Sequence, residues 1–141
     1  MLAIFLIPIV LPSVPRTYGL DRSITLVAFT QAWNSTTTHP NPTITVNYAD
    51  QVSLTLIPGD TFVHRFFIDV DNSGTKPICP PDKCSATFST PNTIVYTFTA
   101  DLVAGKVKYY CAVHPTTMTG TFVIAYSSPW VTAAGRGPMP E

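Results

Sequence analysis

The sequence predicts an all-β chain, an antiparallel β-sandwich of about seven or eight strands. Three observations carry that reading. Apolar and polar residues alternate with period two over seven short runs, the pattern of strands with one buried face. Turn-forming clusters separate these runs: Pro40-Asn41-Pro42, Pro58-Gly59-Asp60, Asn72-Ser73-Gly74, Pro80-Pro81-Asp82, Ala104-Gly105 and Thr119-Gly120. No stretch keeps a 3.6-residue period without a breaker, and Thr, at about 20 residues, joins Val and the aromatics in favouring strands.

The chain begins with an uncharged segment, Met1 to Val14, in which Leu2 to Leu11 form an apolar run interrupted by Pro8. A spanning helix needs about 20 apolar residues, whereas the core of an export signal needs about 7–15. Residues 1–20 are therefore expected to be a signal or an uncleaved membrane anchor. They lack a basic start and an A-x-A-like cleavage site, which leaves a first strand or an ordered apolar arm as the alternative. Strands follow, with these residues on one face of each: Ile24, Leu26 and Ala28; Ile44 and Val46; Val52, Leu54 and Leu56; Phe62, His64, Phe66 and Ile68; Ile94, Tyr96 and Phe98; Val107, Tyr109 and Cys111; Phe122, Ile124 and Tyr126. One domain, 21–128, holds them, with no internal repeat. Residues 129–141, with Gly135, Gly137, Pro138 and Pro140, read as a flexible tail.

Composition removes some functions. Lys+Arg 8 against Asp+Glu 8, with 11% of residues charged, leaves no electrostatic footprint for a phosphate backbone, so nucleic acid is not an expected partner. A 45% hydrophobic content supplies a core and argues against disorder. Lys106 and Lys108 read as a solvated strand face, with a role in docking as the alternative. His39 sits in a polar turn and is expected to be exposed. Asn34-Ser35-Thr36 is a glycosylation sequon, a pattern too short to weigh much.

The three cysteines divide unequally. Cys79 and Cys84 flank a turn-rich loop, and in an exported chain the simplest arithmetic makes them a disulfide and leaves one thiol for another purpose. A metal-binding pair is the alternative, although no other soft ligand lies near them in sequence. Cys111 ends a strand with its side chain inward, and the spacing Cys111-x2-His114-x3-Met118 puts a thiolate, an imidazole and a thioether on one short loop before Gly120. This is a soft donor set, which selects copper over magnesium or calcium; two His, one Cys and a weak axial Met form the blue-copper arrangement. The second imidazole would come from His64, because an unsatisfied imidazole among Phe62, Phe66 and Ile68 would be costly.

From about Ser23 to Tyr126 the sequence resembles the cupredoxins, the small type 1 blue copper proteins. The resemblance rests on Asn41-Pro42-Thr43-Ile44-Thr45-Val46, on Asp50-Gln51-Val52-Ser53-Leu54, on His64-Arg65-Phe66, and on Gly105-Lys106-Val107-Lys108-Tyr109-Tyr110-Cys111-Ala112-Val113-His114-Pro115 with Met118 and Gly120-Thr121-Phe122-Val123-Ile124. The last block is the specific one. The resemblance implies a Greek-key sandwich holding one copper ion, with His64, Cys111, His114 and Met118 as ligands. Two positions depart from the pattern. Ala49 stands where the family often has Gly. Arg65 follows the first His where many members have Asn or Ser, so its backbone N–H, rather than a side-chain tether, is expected to support the thiolate from beyond the ligand shell.

The expected function is one-electron transport, Cu(II)/Cu(I), between transient redox protein partners on the periplasmic or extracellular face, by a monomer. His114 would be the electron's exit, with Val113, Pro115 and Met118 forming an apolar docking patch around it. A copper carrier or delivery protein is the alternative. An oxidase or nitrite reductase reading is disfavoured, because Tyr110 and Ala112, not His, flank Cys111 and only three His exist. A dinuclear copper site is disfavoured because Cys111 has no cysteine partner nearby.

Overall fold

The computed structural model describes residues 19–38, 40–102 and 105–126, so residues 1–18 of the expected leader, His39 and the expected tail lie outside the described residues. Among the described residues there are nine strands: β1 (Asp21–Phe29), β2 (Ala32–Trp33), β3 (Thr43–Asn47), β4 (Gln51–Pro58), β5 (Phe66–Asp69), β6 (Lys83–Cys84), β7 (Ile94–Thr99), β8 (Gly105–Cys111) and β9 (Thr119–Ala125). Six follow the alternating runs, and β5 takes only the end of the fourth run. The other two, β2 and β6, are two-residue pairings, too short for alternation to mark. No helix among the described residues is long and apolar enough to cross a membrane.

The strands form two sheets, β2-β1-β4-β7 and β3-β9-β8-β5-β6. Both contribute to one core that includes Leu26, Trp33, Val46, Leu54, Phe66, Tyr109 and Phe122. The predicted faces hold: Val52, Leu54 and Leu56 are buried from β4, Tyr109 and Cys111 from β8, and Phe122 and Ile124 from β9. A Greek-key sandwich fits this arrangement.

The expected antiparallel pairing throughout is corrected. β1 lies parallel to β4, with Leu26 opposite Leu56, and β3 lies parallel to β9, with Ile44 opposite Phe122. The remaining pairs are antiparallel. Connectivity explains this. β3 of the second sheet lies between β1 and β4 in sequence, and β4 and β7 of the first sheet lie between β3 and β9, so both parallel pairs are joined by crossovers and not by hairpins. Alternation within a strand records which face is buried, not which way its neighbour runs.

The fourth run also differs. Only Phe66–Asp69 is a strand, and all four of its residues are buried. Phe66 and Ile68 join the core, while Phe67 stacks on Tyr110 and lies opposite Cys84. His64 precedes the strand and meets Phe88 in an isolated bridge, and Phe62 is exposed rather than sharing the buried face. Cys79 and Cys84 form the disulfide, and within its loop the Asp82 carboxylate accepts the Val70 and Ile78 N–H groups.

Two small residues matter to the fold. Thr119-Gly120 is not a turn but the start of β9, where a Cβ on Gly120 would lie 2.2 Å from the Tyr109 ring. Glycine there makes room for Tyr109, whose hydroxyl donates to the Pro42 carbonyl at 2.6 Å. Ala49 has φ 69°, the left-handed region that favours glycine.

Candidate metal centre

β8 ends at Cys111, opposite Phe66 of β5, and this register sinks the sulfur into the core with no solvent exposure. Two imidazoles face it. His64 Nδ1 lies 3.7 Å from Sγ and His114 Nδ1 lies 3.8 Å from it, and the two rings are 5.1 Å apart. All three donor atoms fall within 4.8 Å of one another. Burial alone would raise the Cys111 thiol. The hydrogen bond to His64 and backbone N–H groups of Arg65, Val113 and His114 outweigh it and hold the thiol below its ordinary value.

The histidines are held differently. His64 is fully buried, and its backbone exchanges both hydrogen bonds with Phe88, at 2.8 and 2.9 Å. Its remote nitrogen, Nε2, lies 2.8 Å from Asp60 Oδ1. Burial would lower this imidazole, but the contacts to Cys111 and Asp60 raise it. Asp60 is itself fixed, accepting the Thr30 and Phe62 N–H groups at 2.8 and 3.0 Å. In sequence Asp60 reads only as a turn residue, and a carboxylate four positions before a ligand is a weak signal. His114 is half-buried on the loop, with Phe62 edge-on to it at 6.1 Å. Burial and the nearby His64 charge lower its imidazole.

The loop from Cys111 to Met118 closes on itself. Cys111 N–H donates to the Met118 carbonyl at 2.9 Å, and Met118 N–H donates to the His114 carbonyl at 3.0 Å. Two residues from outside the loop then fasten it. Trp33 Nε1–H donates to the Met118 carbonyl at 3.3 Å, and Asn41 Nδ2–H donates to the Thr117 carbonyl at 2.8 Å. Asn41 Oδ1 also accepts Trp33 N–H at 2.6 Å. Met118 is fully buried, so it belongs to the cluster beside Cys111 and not, as expected, to an exposed patch. Val113 is exposed and Pro115 half-exposed beside His114, and exposed Phe62 and Val63 lie in the segment leading to His64.

Arg65 stands between the two ligand-bearing segments. Its carbonyl accepts Ala112 N–H at 2.8 Å, and its guanidinium turns away to the Ser85 carbonyl and to Cys79 Sγ. The tether between the segments is therefore backbone. Lys106 and Lys108 are exposed, as expected. Asn34 is exposed, and its side-chain oxygen accepts Val27 N–H at 2.7 Å, fastening the turn between β1 and β2.

One thiol held low, two imidazoles and a buried thioether form a soft set suited to one copper ion, whereas hard cations take oxygen donors. No family model and no curated protein matches the sequence. Solved structures do. The chain is similar to auracyanin A, a "blue" copper protein from Chloroflexus aurantiacus, at 20% identity over 74% of this chain and 98% of that one, with a TM-score of 0.57. It is similar to reduced rusticyanin at 22% identity over 75% and 80%, TM-score 0.55. It is also similar to the multicopper oxidase mgLAC at 18% identity, TM-score 0.57, over 78% of this chain but only 40% of the oxidase. At these identities the likeness is one of fold, and the fold is that of the cupredoxins.

Proposed function

We propose that the chain is a mononuclear type 1 copper protein that carries one electron between redox partners outside the cytoplasm. The observation that carries this reading is the fully buried Cys111 sulfur flanked by two imidazole Nδ1 atoms at 3.7 and 3.8 Å. His64, Cys111 and His114 would hold the ion, with Met118 as the weak fourth donor. Bound copper supplies a couple, Cu(II) to Cu(I), that takes up or gives back one electron. The chain's part is to keep its donors in place through that change, and the bonds to Phe88, Asp60, Trp33 and Asn41 serve it.

The remaining assignments follow from this reading. His114 is the exit for the electron, because it is the half-exposed imidazole. Val113 and Pro115, together with Phe62 and Val63, offer an apolar rim for small, transient encounters. The Cys79–Cys84 disulfide supports an exported location. We assign the domain to 21–128 and treat it as a monomer.

Voltammetry of the copper-loaded chain tests the carrier role. A reversible one-electron wave, with copper retained over repeated cycles in a competing Cu(I) chelator, is expected. Loss of the ion to the chelator on each reduction would contradict it and point to copper delivery instead.

A further inference from the structure

The carboxylate of Asp60 is placed on the far nitrogen of the buried imidazole, and nothing in the ligand set itself requires it there. His64 Nε2 to Asp60 Oδ1 is 2.8 Å, on the opposite side of the ring from the Nδ1 that faces Cys111. Asp60 does not hang free. Oδ2 accepts Thr30 N–H, Oδ1 also accepts Phe62 N–H, and the Asp60 carbonyl accepts the Thr90 hydroxyl. The carboxylate thus ties the end of β1 to the turn after β4, the backbone carbonyl ties that turn to the segment before β7, and the carboxylate so held meets the ring nitrogen. Gly59 permits that turn: a Cβ there would lie 2.4 Å from the Phe29 ring.

From this geometry we infer that Asp60 is the positioning residue of the metal centre, fixing the His64 proton on Nε2 and setting the potential through its negative charge. The inference rests on the copper reading above. A carboxylate bonded to Nε2–H leaves Nδ1 bare and aimed at the sulfur, which is the form a metal takes. Its charge lies across the His64 ring from the Nδ1 that would hold the ion, and would favour the oxidised state, which carries one more positive charge than the reduced state. Removing the charge while keeping the shape therefore favours Cu(I).

Asp60→Asn keeps an oxygen for Nε2–H and removes the charge. It is expected to shift the partition about tenfold towards Cu(I), which for one electron raises the midpoint by about 59 mV. Thr90→Val is the structural control. It removes a bond to the same turn but no charge, and should lower the melting temperature without moving the potential. An unchanged or lowered potential in Asp60→Asn would overturn the inference, as would an equal rise in Thr90→Val. A second arm needs no copper. Nitrogen-15 shifts of His64 in the metal-free chain at mildly alkaline pH should show the proton on Nε2 in the wild type and a mixture in Asp60→Ala. A wild-type proton on Nδ1 would overturn the anchor. A chain that binds no copper but shows Nε2–H would instead defeat the copper reading and leave the anchor standing.

Discussion

His64 and His114 face the same sulfur at 3.7 and 3.8 Å, yet the chain holds them in opposite ways. His64 is sealed in the core, bridged through its backbone to Phe88 and through its ring to Asp60. His114 stands on a loop fastened mainly at its ends, half-exposed, with Phe62 against its edge. The difference assigns the work. The sealed side holds its donor through the core, and on the proposed reading the open side would give electrons and partners a way in. A site sealed on both sides would exchange electrons slowly, and a site open on both would not hold its geometry.

The severest way to break this comparison is to remove the sulfur that both rings share. Cys111→Ser is expected to abolish the visible thiolate-to-copper band. Replacing Cys79 and Cys84 together by Ser should keep the band and cost about 2 kcal/mol of stability, the loop-entropy value for so short a closure. Absorption spectra and thermal melts of the two variants check this, and equal loss of colour in both would refute the division of the cysteines.

The two histidines can then be separated directly. His114→Gly opens a gap at the surface, so added imidazole is expected to enter and restore most of the band. His64→Gly leaves a buried hole facing the Asp60 carboxylate, and the same imidazole should restore little of it. Absorption titrations with imidazole read both, and equal rescue would remove the distinction.

A third change lies far from the sulfur and sharpens the claim that stability and site are carried by different residues. Asp50 is buried and accepts the Leu20 and Asn47 N–H groups and the Arg22 guanidinium. Burial alone would raise its carboxyl, but these donors hold it below the usual carboxylate range. A folded value below the unfolded one stabilises the chain above the ordinary carboxylate range and loses that contribution as the pH falls through the folded value. Asp50→Asn should cost about 2 kcal/mol near neutrality, flatten the acid limb of the melting profile, and leave the copper band unchanged.

The smallest expected effect is a gain. Ala49 holds φ 69°, so Ala49→Gly should stabilise the fold by about 1 kcal/mol, with no change in the spectrum. A calorimetric melt measures it.

What the sequence revealed, and what it hid, follows the range of each signal. Val52-Leu54-Leu56 and Phe122-Ile124 advertise their buried faces through local alternation, and the structure keeps them. Cys111, His114 and Met118 were legible because one short loop carries all three. His64 is legible as a ligand candidate only once those three demand a fourth, and its strand is shorter than the run: Phe62 is exposed in the bend before His64, His64 makes an isolated bridge, and the strand begins at Phe66. The parallel pairs β1–β4 and β3–β9 come from crossings between sheets, which leave no mark within either strand. Trp33, Asn41 and Asp60 support the centre from positions 51 or more residues away in sequence from Cys111, through single hydrogen bonds that no spacing rule records.

The central claim is that Cys111 binds one copper ion between His64 and His114. A titration of the purified chain with Cu(II), followed by visible absorption and electron paramagnetic resonance, tests it most directly. An intense thiolate-to-copper band that saturates at one equivalent and bleaches on reduction is expected. A colourless chain whose Cys111 thiol remains free and reactive after a full equivalent of Cu(II) would contradict it.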